Sequence, residues 1–153
     1  MSKPRIFLCY SHHDEPWKAL LWKHLHVPAR QDLLEIWADG RIPAGACWQD
    51  QIVEAIDSSQ LAILLISADF LVSDFILGVE IPRILQRQHL GELKVLPVLV
   101  RPCFWGSVSW LAGLQIRPWN GISLSTRRGA RLDSELALIV EEAISMVRHP
   151  ASV

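Results

Sequence analysis

The sequence has little excess charge of either sign. Its 153 residues carry 15 Lys and Arg against 16 Asp and Glu, and the bases form no stripe or block. A nucleic acid or an anionic membrane is therefore not expected as the main partner, because both call for concentrated positive charge. Apolar runs are short. The longest, Leu61–Ile66, is far below the ~20 residues that cross a bilayer, and "MSKPRIFLCYSHHDE" holds too short an apolar run for a signal peptide. Cysteine is scarce: Cys9, Cys47 and Cys103 are odd in number and widely spaced. With no CxxC pair they suit neither a disulfide framework nor a metal cluster, and they fit reduced thiols of a cytoplasmic protein. His24 and His26 lie two apart on a helix and do not share a face, so no metal site is expected. GxGxxG and the GxxxxGK phosphate loop are missing, which argues against a Rossmann dehydrogenase or a P-loop enzyme. No Ser–His–Asp set carries a nucleophile elbow.

What is present is a folding sequence: half of the residues are hydrophobic and a fifth charged, a balance that favours a packed core over disorder. The length fits one domain over residues 1–153. Seven tryptophans add a hint of self-association, since Trp favours interfaces.

Strand and helix patterns alternate along the chain. "RIFLCYS" (5–11) reads as a buried strand. In "HDEPWKALLWKHL", Asp14 is the expected N-cap, Pro16 sits in the first turn, and Trp17, Leu21 and Leu25 share one face. "LLEIWAD" (33–39) is a second strand and "GRIPAGA" a loop. Trp48, Ile52, Ala55 and Ile56 predict a helix, and "QLAILLIS" (60–67) a third strand. Ser73 or Asp74, with Asp74 preferred, opens a helix that contains Glu80. "LKVLPVLV" (93–100) is a fourth strand, "IRPWNGISL" a short fifth, and Ser134–Arg148 a last helix. The expected fold is α/β: a flavodoxin-like sandwich, a five-stranded parallel sheet flanked by helices on both faces. Ligands of such sheets bind beyond the carboxyl ends of the strands. That edge carries Tyr10 and Ser11, the Asp39–Cys47 loop, and Ser67–Ser73.

In "FILGVEIPRIL", Glu80 stands among Leu77, Val79, Ile81 and Pro82. A carboxylate there loses hydration, which is costly without compensation. Either it bonds Arg83 at i+3 on a solvated face, or it serves a site. Pro82 removes a helical hydrogen bond, the one to the Gly78 carbonyl, and predicts a distorted turn around Glu80. The distortion either aims the carboxylate or reflects tight packing at Gly78.

"RIFLCYSHHDE", "IWADGRIPAGACWQDQI" and "AILLISADFLVSDFILGVEIPRIL", in this order and spacing, resemble the Toll/interleukin-1 receptor (TIR) domain of the bacterial type, from about Arg5 to Val100 and again at the last helix. The resemblance implies the same five-stranded sandwich. Many members cleave NAD at the nicotinamide–ribose bond with a glutamate on the helix after the third strand, and the matching position here is Glu80. The leaving nicotinamide is neutral, so one carboxylate suffices: it stabilises the oxocarbenium-like ribose and accepts its hydroxyl hydrogen bonds. NAD would be a substrate, with no cofactor and no metal.

The remaining site expectations follow from the resemblance and from the binding edge. Trp48 either stacks on the nicotinamide ring or is core with Ile52. Phe75 lies one residue earlier than the aromatic that many enzymatic members carry, and is either a stacking platform or core. Asp39 and Arg41 either bond ribose or phosphate, pair at a subunit contact, or sit on a solvated loop tip. Tyr10 and Ser11 face the ligand, or Ser11 caps the next helix. His12 and His13 replace two Arg found near the phosphates in some members, and neutral His is a weaker phosphate partner.

The resemblance implies self-association through the Asp39–Cys47 loop, with Ile42 and Pro43 at its tip. Open head-to-tail contacts make filaments. A sensor in the same chain or beside it and a role in antiphage defence are further implications. A non-catalytic TIR–TIR adaptor is the alternative, and a nucleoside-processing enzyme a third reading.

Overall fold

A computed structural model describes residues 3–38 and 48–148. Four parallel strands form one sheet in the order β2-β1-β3-β4. They are β1 (Arg5–Cys9), β2 (Glu35–Trp37), β3 (Leu61–Ile66) and β4 (Lys94–Leu99). Between and after them run helices α1 (Glu15–Arg30), α2 (Trp48–Asp57), α3 (Ala68–Leu71), α4 (Ile81–His89), α5 (Ser109–Ala112) and α6 (Gly129–Arg148). Strand side chains alternate between faces, which divides the core in two. Ile6, Leu8, Ile63, Leu65, Leu96 and Val98 pack against Leu21 and Leu25 of α1 and Leu136 and Ile139 of α6. Phe7, Cys9, Ala62, Leu64 and Ile66 pack against Ile52 and Ile56 of α2 and Ile81 and Ile84 of α4. β3 is buried along its whole length, as a central strand covered on both faces must be.

The α/β sandwich expected from the alternation is present, with one correction. The expected fifth strand is an isolated bridge between Val98 and Arg117. Arg117 N donates to Pro97 O at 2.9 Å and Leu99 N to Arg117 O at 2.8 Å. The next residue, Pro118, has no N–H with which to continue a ladder. The last helix starts at Gly129, five residues before the expected Ser134.

Asp14 is also corrected. It makes no side-chain cap hydrogen bond. Ser11 caps instead, accepting from His13 N at 3.3 Å and opening a short 3-10 turn that leads into α1.

The helix around Glu80 begins with Ser73, whose Oγ accepts from Ile76 N at 3.3 Å; Ser73, not Asp74, is the cap. Residues Ile76–Glu80 then form a π-helical turn, closed by a hydrogen bond from Ile81 N to Ile76 O. This is the distortion expected at Pro82, which takes an early position of α4, where its missing N–H is tolerated. Tight packing at Gly78 is not its cause: a Cβ placed there would meet nothing within 4 Å.

A candidate active-site cleft at the carboxyl ends of the strands

A cleft of about 630 Å³ opens at this edge, within the size range of small-molecule sites. Its walls come from four short segments: Tyr10–His13 after β1, Trp48 and Ile52 of α2, Asp69, Val72 and Ser73 around α3, and Phe75, Ile76 and Glu80 of the π-helical turn. The structure thus brings together five of the expected residues, Tyr10, Ser11, Trp48, Phe75 and Glu80. Asp39 and Arg41, with the rest of the loop, lie outside the described residues.

Glu80 is 4 % exposed and still lines the cleft. Glu80 is the last residue of the π-helical turn. The expected alternative, a surface pair with Arg83, does not form. Arg83 instead forks onto Asp57 of α2, with Nε to Oδ1 at 2.6 Å and Nη2 to Oδ2 at 2.7 Å. That hydrogen-bonded fork, with the guanidinium charge, holds the Asp57 carboxyl below its usual range.

Trp48 is 51 % exposed, so it is not the core residue that its spacing with Ile52 allowed. Its ring meets Phe75 edge to face, with centroids 4.5 Å apart at 61°. This geometry suits aromatic quadrupoles and leaves ring surface for a flat ligand. Phe75 packs against the core on the α2 and α4 side and also lines the cleft.

Tyr10 is buried, with its ring edge-on to His12 at 6.2 Å and Lys18 Nζ 5.8 Å from its centroid. Ser11 caps and also lines the cleft. Near Glu80, then, the cleft offers a carboxylate with apolar walls and an aromatic pair. That combination stabilises a cation or a flat electron-poor ring and shields it from water.

The residue readings missed Asp14 and Asp69 as partners in one cluster. Asp14 is fully buried and accepts a hydrogen bond from Ser67 Oγ–H and another from Arg101 Nε at 3.1 Å. Arg101 Nη2 also donates to Asp69. The signal in the sequence was slight: an Arg directly after a buried strand, at the binding edge. Among the described residues no cluster of His, Cys, Asp and Glu could hold a metal ion, and no helix is long and apolar enough to cross a membrane.

Comparison with known proteins agrees with this architecture. Over 102 residues the chain is 39 % identical to the uncharacterized protein y4lF of Sinorhizobium fredii, which covers 67 % of this chain and 32 % of that protein. The chain therefore spans about a third of the relative's length. Among solved structures it resembles the TIR domains of the activated Roq1 resistosome, with 17 % identity, a TM-score of 0.54, and coverage of 91 % of this chain and 84 % of that one. It also resembles the TIR domain of the Toll-related receptor TRR-2 from Hydra magnipapillata, with 20 % identity, a TM-score of 0.49, and coverage of 67 % and 78 %. Residues 6–136 match the TIR domain family, and the chain belongs to it.

Proposed function

We propose that this TIR domain is an NAD nucleosidase whose catalytic carboxylate is Glu80. The observation that carries the reading is the placement of Glu80: buried, on the cleft wall, near the Trp48–Phe75 pair, with Arg83 committed elsewhere. The bond between the ribose and the nicotinamide nitrogen breaks, and the electron pair leaves with nicotinamide, which departs neutral. Positive charge spreads over the ribose ring, where the Glu80 carboxylate stabilises it. Water then adds and releases a proton to give ADP-ribose, or a group of the same molecule adds, losing its proton where it carries one, to give a cyclic form. Trp48 and Phe75 hold the nicotinamide ring. Tyr10 and Ser11 contact the substrate beyond it, and Asp39 and Arg41 bond its ribose or phosphates. NAD is the substrate, and no cofactor or metal takes part.

Activity is set by assembly. The apolar tip of the Asp39–Cys47 loop, Ile42 and Pro43, contacts a second copy, and open head-to-tail contacts extend into filaments. The Roq1 resistosome recognises a pathogen effector, which supports a defence setting, here antiphage defence in the cytoplasm triggered by a sensor.

The test is nicotinamide release from NAD over rising protein concentration, with Glu80→Gln beside the wild type. Release that grows faster than protein concentration and vanishes in the variant supports the reading. No release at any concentration, even when the chain is fused to an oligomeriser, leaves a non-catalytic TIR–TIR adaptor.

A further inference from the structure

Beside the cleft, residues that follow three of the strands meet in a polar cluster, buried at Asp14 and Ser67 and part-exposed at Arg101 and Asp69. Asp14, five residues after β1, is fully buried; Ser67, just after β3, donates to its Oδ2; Arg101, two residues after β4, donates to its Oδ1 from Nε at 3.1 Å, with Nη2 2.9 Å from the same oxygen. Arg101 Nη2 also donates to Asp69 Oδ2, and Ser67 Oγ accepts from Phe70 N at 3.1 Å. The cluster pins α3. A helix of four residues does not hold itself; its place depends on Phe70 in the core, on the Ser67 cap and on the Arg101–Asp69 contact.

Asp69 lines the cleft. One of its oxygens is taken by Arg101, and among the described residues the other, Oδ1, takes no hydrogen bond. An ionised carboxylate only accepts. A fixed carboxylate with one oxygen unused selects a hydroxyl or N–H and repels phosphate. The charge of Arg101 is divided between Asp14 and Asp69, so it does not offset this preference.

We propose that Asp69 accepts a hydrogen bond from a ribose hydroxyl of the substrate, with Arg101 as its positioning residue; the assignment rests on NAD being the ligand of this cleft. Asp69 would thereby set specificity, favouring a free sugar hydroxyl over a phosphorylated or missing one.

The experiment measures NAD dissociation constants by calorimetry in wild-type protein and in Glu80→Gln, where nothing turns over. It adds Asp69→Asn and Arg101→Lys to the latter, and it includes NAD analogues that lack one ribose hydroxyl at a time. Asn is close in shape to Asp, but Arg101 needs an acceptor, so the amide oxygen turns to Arg101 and the NH₂ turns to the cleft. A substrate hydroxyl then meets a donor. Expected is a loss of affinity for NAD of about ten- to a hundredfold, the range for a hydrogen bond to a charged group.

One particular deoxy analogue should bind the parent more weakly by the same factor and show no further loss in Asp69→Asn. Arg101→Lys keeps the charge but cannot fork to two carboxylates, and should fall between. Unchanged NAD binding in Asp69→Asn, or an equal weakening of every analogue as a loosened fold would give, overturns the assignment while wild-type cleavage of NAD still stands. If NAD does not bind the wild type or the parent variant, the NAD reading itself fails and takes the assignment with it.

Discussion

Arg83 reaches across from α4 to Asp57 at the end of α2, and this fork is what withholds it from Glu80, three residues before it. Arg83→Ala should therefore leave nicotinamide release unchanged and lower stability slightly, since the pair is exposed. Asp57 is held below its ordinary value of 3.8. A lowered carboxyl contributes stability above that value and loses it as pH falls through the folded one. The stability gap between wild type and Arg83→Ala should be present at neutral pH and close below about pH 4, as urea melts at the two pH values would read.

Glu80→Gln keeps the shape of the side chain and removes its charge. Nicotinamide release should fall by at least about a hundredfold, the scale for losing an electrostatic stabiliser of a transition state. Its melting temperature should stay within a few degrees of wild type by calorimetry. A large drop in melting temperature would instead make Glu80 a structural acid.

Trp48→Ala should separate binding from folding. The ring is half exposed and contributes one edge-to-face contact, worth about 0.5–1.5 kcal/mol. Stability should fall by no more than that, while the KM for NAD rises about tenfold through loss of ring stacking. A Phe replacement should recover most of the affinity.

Phe70→Ala tests the anchor of α3. Phe70 is fully buried against the core on the α2 and α4 side, and emptying such a site costs about 3–5 kcal/mol. Denaturant unfolding should show that loss. Hydrogen exchange should show the Leu71 amide, bonded to Ser67 O at 3.1 Å, opening before the β3 amides.

The sheet was legible because β1, β3 and β4 are apolar runs bounded by polar residues, and the carboxyl-edge rule then placed Tyr10, Ser11 and Ser67–Ser73 together. Glu80 was legible because a charge between Val79 and Ile81 breaks the local pattern. Contacts between distant segments were not. The choice of Arg83 between Glu80 and Asp57 depends on how α2 lies against α4. Asp14 looks like a cap in sequence because an Asp two residues before a Pro usually is one; only folding brings Ser67 and Arg101, 53 and 87 residues away, onto its carboxylate. The expected fifth strand stops at a single bridge because Pro118, next to Arg117, has no N–H to continue the ladder.

The π-helical turn has a consequence for how this region tolerates length changes. Ile76 and Ile81 are both 3 % exposed, although five residues of ordinary α-helix would turn the second about 140° from the first. The wider turn absorbs one surplus residue and keeps both isoleucines in phase with the core. Deleting Gly78 would let the segment relax to a regular helix. The core would still claim Ile76 and Ile81, now one position closer, and the narrower turn would draw the Glu80 backbone off its place on the cleft wall. A single-residue deletion there should therefore silence the site while leaving α4 seated, an effect that substitutions at the same position would not reproduce.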